Sequence, residues 1–200
     1  MASKLVSAEA AAARITYFQG GGFDVTFLSF LEIDLEGNVN VSKLGKKPYL
    51  TAGCGGFVDI TANAKKIVFA GQFEAGAQLE IANGAIRVAK PGKFPKMVEK
   101  VEHVTFSGRR ARELGQEVLY VTERCVIRLT DQGLVATEVM PGIDAQRDIV
   151  EASLGRVSLA PDARVLPASL LGSGPMGLVL QPKPAPVVAS HGLEPARAAS

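Results

Sequence analysis

The sequence has 200 residues, of which 47% are hydrophobic and 21% are charged, so it holds enough apolar side chains for one packed core. Its 22 basic and 20 acidic residues are interspersed and leave a net charge of +2, which argues against a nucleic-acid partner. Charged residues break every apolar run well before the roughly 18 residues that a membrane span needs, so no membrane partner is expected. Neither a disulfide framework nor a metal site is expected from Cys54, Cys125, His103 and His191.

The two ends of the sequence differ in composition from its middle. The first residues lack the apolar core of a secretory signal, so a cytoplasmic location is expected. Residues 1–14 are expected to form an N-terminal segment, in which "SAEAAAAR" could be a short helix capped by Ser7. Residues 171–200 are rich in proline, glycine and small residues, which predicts a disordered tail. The folded domain is therefore expected over 15–170.

The first part of the domain reads mainly as strands. After the glycines at 20–22, the run "FDVTFLSFLEID" favours a buried strand, followed by a turn at Glu36-Gly37-Asn38 and a short second strand. A single helical turn is predicted over Phe57 to Ala64, with a strand at Lys66 to Ala70. Asn83-Gly84 separates two alternating runs, which predicts a hairpin.

The second part adds four strand candidates and one helix. One strand is expected in "MVEKVEHVTFSG", where His103 would lie on a polar face, and three in "EVLYVTERCVIRLTDQGLVATEVMPG". Asp131-Gln132-Gly133 is expected to be the turn between the last two. The stretch "IDAQRDIVEASL" predicts an amphipathic helix with Asp144 as its N-cap. Its apolar side is formed by Ile149, Val150 and Leu154.

One short stretch points to chemistry by its residue types. "GCGG" at Gly53 to Gly56 precedes the predicted helical turn, and such a loop can present backbone N–H groups to an anion or to a developing oxyanion. An ordinary tight turn is the alternative. Lys46 and Lys47 could steer a phosphate, although a solvated lysine pair is the more common arrangement. No histidine lies beside a serine or cysteine in a nucleophile-like context, so Ser-His and Cys-His catalysis are not expected.

Several segments in order resemble the C-terminal, β-type half of family I CoA-transferases. These segments are "GGGFDVTFLSFLEIDLEGNVNVSKLG", "AGCGGFVDITANAKKIVF", "VEHVTFSG" and "VLYVTERCVIRLTDQGLVATEVMPGID", and they cover about Tyr17 to about Val157. The resemblance is greatest to the acetate/propionate, or short-chain acyl-CoA:carboxylate, enzymes. It implies an α/β fold of the NagB/RpiA/CoA-transferase type, with a strand-rich mixed sheet and flanking helices.

The resemblance also implies a mechanism and a set of site residues. Family members move CoA between an acyl-CoA and a carboxylate through a thioester on a glutamate, with coenzyme A as substrate and no permanently bound cofactor. Gly55 and Gly56 match the loop that stabilises the oxyanion, and Cys54 would line the site. Matches to segments near the substrate pocket add lower-ranked candidates, which could instead be turn residues and a buried capping carboxylate: Gly21, Gly22, Asp24, Asn38 and Asn40.

This sequence departs from the family pattern at the nucleophile. The family's glutamate stands in a "Glu-x-Gly" motif several tens of residues before the glycine segment, where this chain has only Glu9, followed by alanines. The chain is therefore expected to lack the nucleophile and the α-type half, and to be inactive alone. Self-association or a complementary α-type half is the expected partner. The alternatives are a non-catalytic binding or scaffold domain and an inactive fragment.

Overall fold

The computed structural model describes residues 20, 23–45, 54–175, 177 and 179. The expected helix capped by Ser7, the lysine pair Lys46 and Lys47, and most of the expected tail lie outside these residues. The division into an N-terminal segment, a domain and a tail stays a prediction. No helix within the described ranges is long and apolar enough to span a membrane.

The described residues form strands, two short α-helices and two other helical turns. The strands are β1 (Val25–Ser29), β2 (Glu32–Ile33), β3 (Val39–Asn40), β4 (Lys66–Ala70), β5 (Glu74–Ala75), β6 (Gln78–Ala82), β7 (Ala85–Lys90), β8 (Phe94–Pro95), β9 (Glu117–Val121), β10 (Cys125–Thr130), β11 (Gly133–Val139) and β12 (Val157–Val165). The helices are α1 (Phe57–Asn63) and α2 (Gly108–Glu113), with a π-helical turn at Gln146–Glu151 and a 3₁₀ turn at Ala168–Leu171.

Six strands form the main sheet, in the order β1-β4-β9-β10-β11-β12. β1, β4 and β9 are parallel, β10 is antiparallel to both β9 and β11, and β12 is parallel to β11. Three small two-stranded sheets, β2-β3, β5-β8 and β6-β7, surround it. The chain is thus α/β, with a strand-rich mixed sheet and few helices.

The core lies between one face of this sheet and the helices. Alternate residues of the central strands β4 and β9, among them Phe69 and Tyr120, are fully buried there. Phe69 stacks on Tyr120 with ring centroids 5.6 Å apart and meets Phe106 edge to face at 5.1 Å. α1 joins this cluster through Phe57, whose ring lies 5.7 Å from that of Phe69. Aromatic contacts of this kind hold the helix layer on the sheet.

Most of the expected elements are confirmed. β4 has the predicted bounds, α1 covers the predicted helical turn, and the turn at Glu36 to Asn38 has Gly37 at φ +77°. Asn83 and Gly84 both have positive φ, 52° and 70°, as a two-residue hairpin turn between β6 and β7 requires. β9, β10 and β11 form as expected, with the turn between the last two strands at Asp131-Gln132.

The strand expected in "MVEKVEHVTFSG" is wrong. This segment pairs only through isolated bridges at its two ends, Ile33 with Met97 and Val39 with Phe106, and the residues between them bend away. Its buried residues, Met97, Val101 and Phe106, are four or five positions apart, with exposed residues between them, which does not fit the two-residue repeat of a strand. His103 therefore lies in a loop.

The helix expected at "IDAQRDIVEASL" is confirmed in place but differs in its buried side. Asp144 Oδ1 accepts a hydrogen bond from the Arg147 amide at 2.9 Å, as an N-cap does, and Ile149 is fully buried. Leu154 is wrongly placed on the apolar side: it is 75% exposed, because the helical turn ends at Glu151 and the backbone of Leu154 turns to φ +56°.

Sequence patterns did not predict β12 or α2. β12 contains Pro161, and proline in a strand is confined to edges or irregular positions, so the run does not resemble a strand. It forms the outer edge of the sheet and shifts register against β11 between Ala136 and Glu138. α2 is short, and its start is marked by Ser107, whose Oγ accepts from the Arg110 amide at 3.3 Å.

Candidate functional site

The glycine loop of the sequence is a tight turn that leads directly into α1. The Phe57 amide donates to the Cys54 carbonyl at 3.0 Å, and the Ile60 amide donates to the Gly56 carbonyl at 3.0 Å. Gly55 has φ +53°, a conformation that glycine adopts at low cost. Cys54 is half-buried and packs against the core. Gly53 lies outside the described residues.

The turn contains two adjacent backbone donors, the amides of Gly55 and Gly56. Among the residues that the structure describes, the amides of Gly55 and Gly56 donate no hydrogen bond. A Cβ built on Gly55 would meet nothing within 4 Å, so the turn is open to an approaching group. Two adjacent amides in an open turn can stabilise a negative charge on a carbonyl oxygen.

This turn lies at the carboxyl-terminal edge of the parallel strands. α1 ends near the amino-terminal edge, because Gln116, just before β9, donates from Nε2 to the carbonyls of Thr61 and Ala64 at 2.9 and 2.7 Å. The helix begins near the opposite edge, where Phe57 stacks on Phe69, the penultimate residue of β4. Ligands of open parallel sheets commonly bind at the carboxyl ends of the strands.

Asn38 is held by its own turn. Its Nδ2 donates to Asp34 Oδ2 at 3.0 Å, and its Oδ1 accepts from the Gly108 amide at 3.0 Å. Asp34, 2% exposed, also accepts from the amides of Asn38 and Val101 at 3.0 and 3.3 Å. These bonds fix the β2-β3 turn to the start of α2, and they satisfy the buried side chain of Asn38 without a ligand.

Asn40 has a similar local role. Its Nδ2 donates to Glu32 at 2.8 Å and to the Lys43 carbonyl, and its Oδ1 accepts from the amides of Ser42 and Lys43, both at 3.1 Å. No hydrogen bond joins Asn38 or Asn40 to the Cys54–Gly56 turn in the described part of the chain. A role for either residue in a substrate pocket stays a prediction.

Of the three candidates near the first glycines, the structure describes only Asp24. Gly21 and Gly22 lie outside the described residues. Asp24 is not a buried capping carboxylate, since its side chain is 76% exposed and pairs with Lys65 Nζ at 2.8 Å. It precedes β1, at the edge of the sheet opposite to the Cys54–Gly56 turn.

A buried arginine is the main polar feature that sequence patterns missed. The Arg124 side chain is 1% exposed; its Nη2 donates to Glu74 at 2.6 Å and its Nη1 donates to the Asp148 carbonyl at 2.9 Å. Its guanidinium lies 4.6 Å from the centre of the Phe73 ring. Glu123 Oε1 is 3.4 Å from Arg124 Nε, an ion pair without hydrogen-bond geometry. A buried charge of this kind is not visible in the sequence, because the three polar residues of "TER" look like an ordinary solvent-facing turn between two strands.

Arg124 also contributes to a surface cleft of about 450 Å³ between β7 and the π-helical turn. Arg147 donates to both carboxylate oxygens of Asp148 at 2.8 Å and lowers the pKa of that carboxyl. Three arginines and two carboxylates line the cleft. Each arginine pairs with a carboxylate, Arg124 with Glu74, Arg147 with Asp148 and Arg87 with Glu80, which suits a structural ion-pair network.

Cys125 and His103 are poorly placed for nucleophilic chemistry. Burial raises the pKa of the Cys125 thiol to about 12, which keeps it protonated and unreactive. His103 Nδ1 lies 2.5 Å from Ser42 Oγ, a contact across the chain that the sequence did not reveal. Ser42 is 4% exposed, so its hydroxyl is inaccessible to a substrate. Within the described ranges, no three His, Cys, Asp or Glu side chains converge to hold a metal ion.

Comparisons with known proteins agree with this architecture. No family model matches the chain. It is 39% identical over 165 residues to the acetate CoA-transferase YdiF of Escherichia coli O157:H7, and 42% identical over 156 residues to a caffeate CoA-transferase of Acetobacterium woodii. These alignments cover 82% and 76% of this chain but 30% of each relative, so the chain spans about a third of their length.

Solved structures show the same relationship. The chain superposes on a thioester complex of E. coli YdiF with CoA with a TM-score of 0.80 and 36% identity, covering 88% of this chain and 34% of that one. Glutaconate CoA-transferase of Acidaminococcus fermentans, at 18% identity and a TM-score of 0.56 over 84% of this chain and 62% of that one, shares the fold. The chain therefore belongs to the family I CoA-transferases, of which it represents a part.

Proposed function

We propose that this chain supplies the oxyanion-stabilising turn of an enzyme that moves CoA between a short-chain acyl-CoA and a carboxylate. The observation that carries the proposal is the similarity to named CoA-transferases, one of them solved as a thioester with CoA. The proposed substrates are an acyl-CoA and a short-chain carboxylate. Coenzyme A takes part as a substrate, and the proposed reaction uses no permanently bound cofactor.

The chemistry assigned to the Cys54–Gly56 turn follows from its geometry. When a carboxylate attacks a thioester carbonyl, the carbonyl oxygen gains negative charge in the tetrahedral transition state. The amides of Gly55 and Gly56 are unused within the described residues and open to the carboxyl edge of the sheet, so they can bind that oxygen. Cys54 lines the approach. Gly21, Gly22, Asn38 and Asn40 rank below this turn as contacts to the substrate, and Asp24, at the opposite edge of the sheet, ranks last.

The nucleophilic glutamate comes from outside these 200 residues. No glutamate of this sequence stands in the family's motif, and Glu36 and Glu74 are engaged in the β2-β3 turn and with buried Arg124. The expected arrangement is a complementary α-type part, in the same or another polypeptide, that carries the glutamate and acts in the cytoplasm.

Trapping of the covalent intermediate tests the location of the nucleophile. Purified chain is incubated with acetyl-CoA, reduced with borohydride and analysed by intact mass. We expect no CoA adduct and no reduced glutamate on this chain, and no exchange of CoA with propionate. A reduced glutamyl label here would show that the chain carries its own nucleophile and would overturn this part of the proposal.

The oxyanion role is tested by a matched pair at Gly56. Its φ of −78° suits proline, so Gly56→Pro removes the amide hydrogen with little change in backbone shape, whereas Gly56→Ala keeps it. Both are placed in an active chimera in which this chain replaces the matching third of E. coli YdiF. Loss of one oxyanion donor costs about 100- to 1000-fold in kcat, so we expect that loss for proline and nearly full activity for alanine. Equal activities of the two variants would exclude the Gly56 amide as an oxyanion donor.

An alternative function is a non-catalytic domain that has kept the fold. The similarity to named CoA-transferases, one of them solved as a thioester with CoA, favours the enzyme. A folded chimera without activity, for any acyl-CoA tested, would favour the scaffold.

A further inference from the structure

Phe57 attaches the Cys54–Gly56 turn to the main sheet. It directly follows Gly56 in the chain, and its ring stacks on that of Phe69 with the centroids 5.7 Å apart and the ring planes inclined by 27°. Phe69 is fully buried in β4, which pairs with β1 on one side and with β9 on the other. The backbone of the turn is therefore one residue away from a side chain that rests on a strand held from both sides.

The backbone of Phe57 closes the same turn. Its amide donates to the Cys54 carbonyl at 3.0 Å. The two residues between them have φ +53° at Gly55 and φ −78°, ψ 5° at Gly56, which match the central positions of a type II′ turn. A displacement of Phe57 therefore changes the direction of the Gly55 and Gly56 amides, because both lie inside the loop that this hydrogen bond closes.

The other attachments of α1 lie farther from the turn or are weaker. In the described part of the chain, the start of the helix has no side-chain cap bond, and its buried residues are Phe57 and Thr61. Gln116 holds the far end, since its Nε2 donates to the carbonyls of Thr61 and Ala64 at 2.9 and 2.7 Å. That end is about 10 Å from the turn, the length of a helix of 7 residues. Cys54 is only half-buried, so Phe57 is the main contact of the turn with the core.

We propose that Phe57 is a positioning residue, whose stack on Phe69 holds the amides of Gly55 and Gly56 in the direction in which they bind the developing oxyanion. It acts through the backbone, because its ring faces the sheet. Oxyanion donors are effective only when they are aimed at the place where charge develops, and a misplacement of about 1 Å costs about 100-fold in rate. This inference rests on the proposed function, since it assumes that the oxygen is bound at this turn.

A matched pair of variants separates positioning from packing. Phe57 and Phe106 both contact the ring of Phe69, and they are 7% and 5% exposed. Only Phe57 adjoins the turn, because the backbone of Phe106 bonds to Val39 instead. Phe57→Leu and Phe106→Leu thus remove comparable contacts from the same ring, and we expect comparable falls in the melting temperature of the free chain.

Kinetics of the two variants in the active chimera with E. coli YdiF measure the effect on the site. We expect Phe57→Leu to lower kcat and kcat/KM by the same factor, about 10- to 100-fold, because the oxyanion is bound only in the transition state. Phe106→Leu should leave both constants nearly unchanged. Equal losses for the two variants would overturn the proposal, since loosened packing around Phe69 would then explain both.

A double-mutant cycle in the same chimera tests whether Phe57 acts through the Gly56 amide. The ratio of the kcat values of Gly56→Ala and Gly56→Pro is measured with Phe57 present and in the Phe57→Leu background. We expect the ratio to fall by about tenfold in that background, because an amide that is no longer aimed at the oxygen has less to lose. An unchanged ratio would show that the two residues act independently and would overturn the proposal.

Residual dipolar couplings of the free chain test the anchoring without turnover. They report the directions of the Gly55 and Gly56 N–H bonds relative to those of β4. We expect both directions to change in Phe57→Leu and to stay the same in Phe106→Leu, and unchanged directions in Phe57→Leu would overturn the proposal. If Phe57→Leu does not fold, Phe57→Met, whose flexible side chain fills irregular gaps, replaces it in every measurement. Changed directions together with equal activities of Gly56→Pro and Gly56→Ala would support the anchoring by Phe57 and contradict the oxyanion role in the proposed function.

Discussion

At the scale of single residues, Arg124 is the side chain whose loss we expect to matter most for stability. It is 1% exposed and pairs with Glu74, which is 11% exposed. Arg124→Ala leaves that carboxylate buried without its partner, a change that costs about 3–5 kcal/mol of unfolding free energy. Arg87, whose pair with Glu80 is exposed, provides the control, and Arg87→Ala should cost less than about 1 kcal/mol. Urea unfolding of both variants measures the difference, and similar losses would contradict a structural role for Arg124.

Asp148 links stability to pH. Its hydrogen bonds from Arg147 lower the pKa of the carboxyl, so the folded state holds the ionised form more strongly than the unfolded state does. This stabilisation is complete above the ordinary aspartate pKa of about 3.9 and is lost as the pH falls through the lowered value. We expect Asp148→Asn to be less stable than the wild type at neutral pH, with a gap that narrows below about pH 4. Unfolding at a series of pH values would contradict this if the gap stayed constant.

At the scale of elements, the β6-β7 hairpin turn offers a test of backbone strain against side-chain contact. Gly84 and Gly115 have nearly equal φ, +70° and +67°, but a Cβ on Gly84 would lie 3.0 Å from the Cβ of Ala168, and one on Gly115 would meet nothing. Alanine at either site costs about 1–2 kcal/mol for the left-handed backbone. We expect Gly84→Ala to lower the free energy of unfolding by more than Gly115→Ala does, as measured by chemical unfolding. The reverse order would show that the contact with Ala168 in the 3₁₀ turn adds no cost.

Elements with a local signal could be predicted from the sequence, and elements held by distant partners could not. Asn83-Gly84 fixes its hairpin by the conformations that those residues prefer, and β4 follows from the three strand-forming residues at its centre, Ile67, Val68 and Phe69. The segment around His103 alternates like a strand, but its backbone bonds go to Ile33 and Val39, more than sixty residues earlier in the chain. The same limit applies to the site: the turn at Gly55 was visible as a motif, whereas Arg124 became notable only once Glu74 lay beside it.

At the scale of the whole molecule, the structure predicts an order of local stability. β4 and β9 are flanked by strands on both sides and bury Ile67, Phe69, Val118 and Tyr120 almost completely. The β6-β7 hairpin is a two-stranded sheet in which every residue of β6 is exposed. Ile86 is the one residue of these two strands that is buried, and isolated two-stranded hairpins are only marginally stable in water, so the hairpin opens at a much lower cost than the central strands.

Hydrogen exchange under native conditions measures this order directly. We expect the amides of β4 and β9 to exchange only through global unfolding, with protection close to the full unfolding free energy, and those of β6 and β7 to exchange much faster. Arg124→Ala should lower the protection of β4 and β9 by as much as it lowers global stability, because these strands open only when the whole core opens. Its effect on β6 should be small. Equal protection in the hairpin and in the central strands would instead show that the chain unfolds as a single cooperative unit.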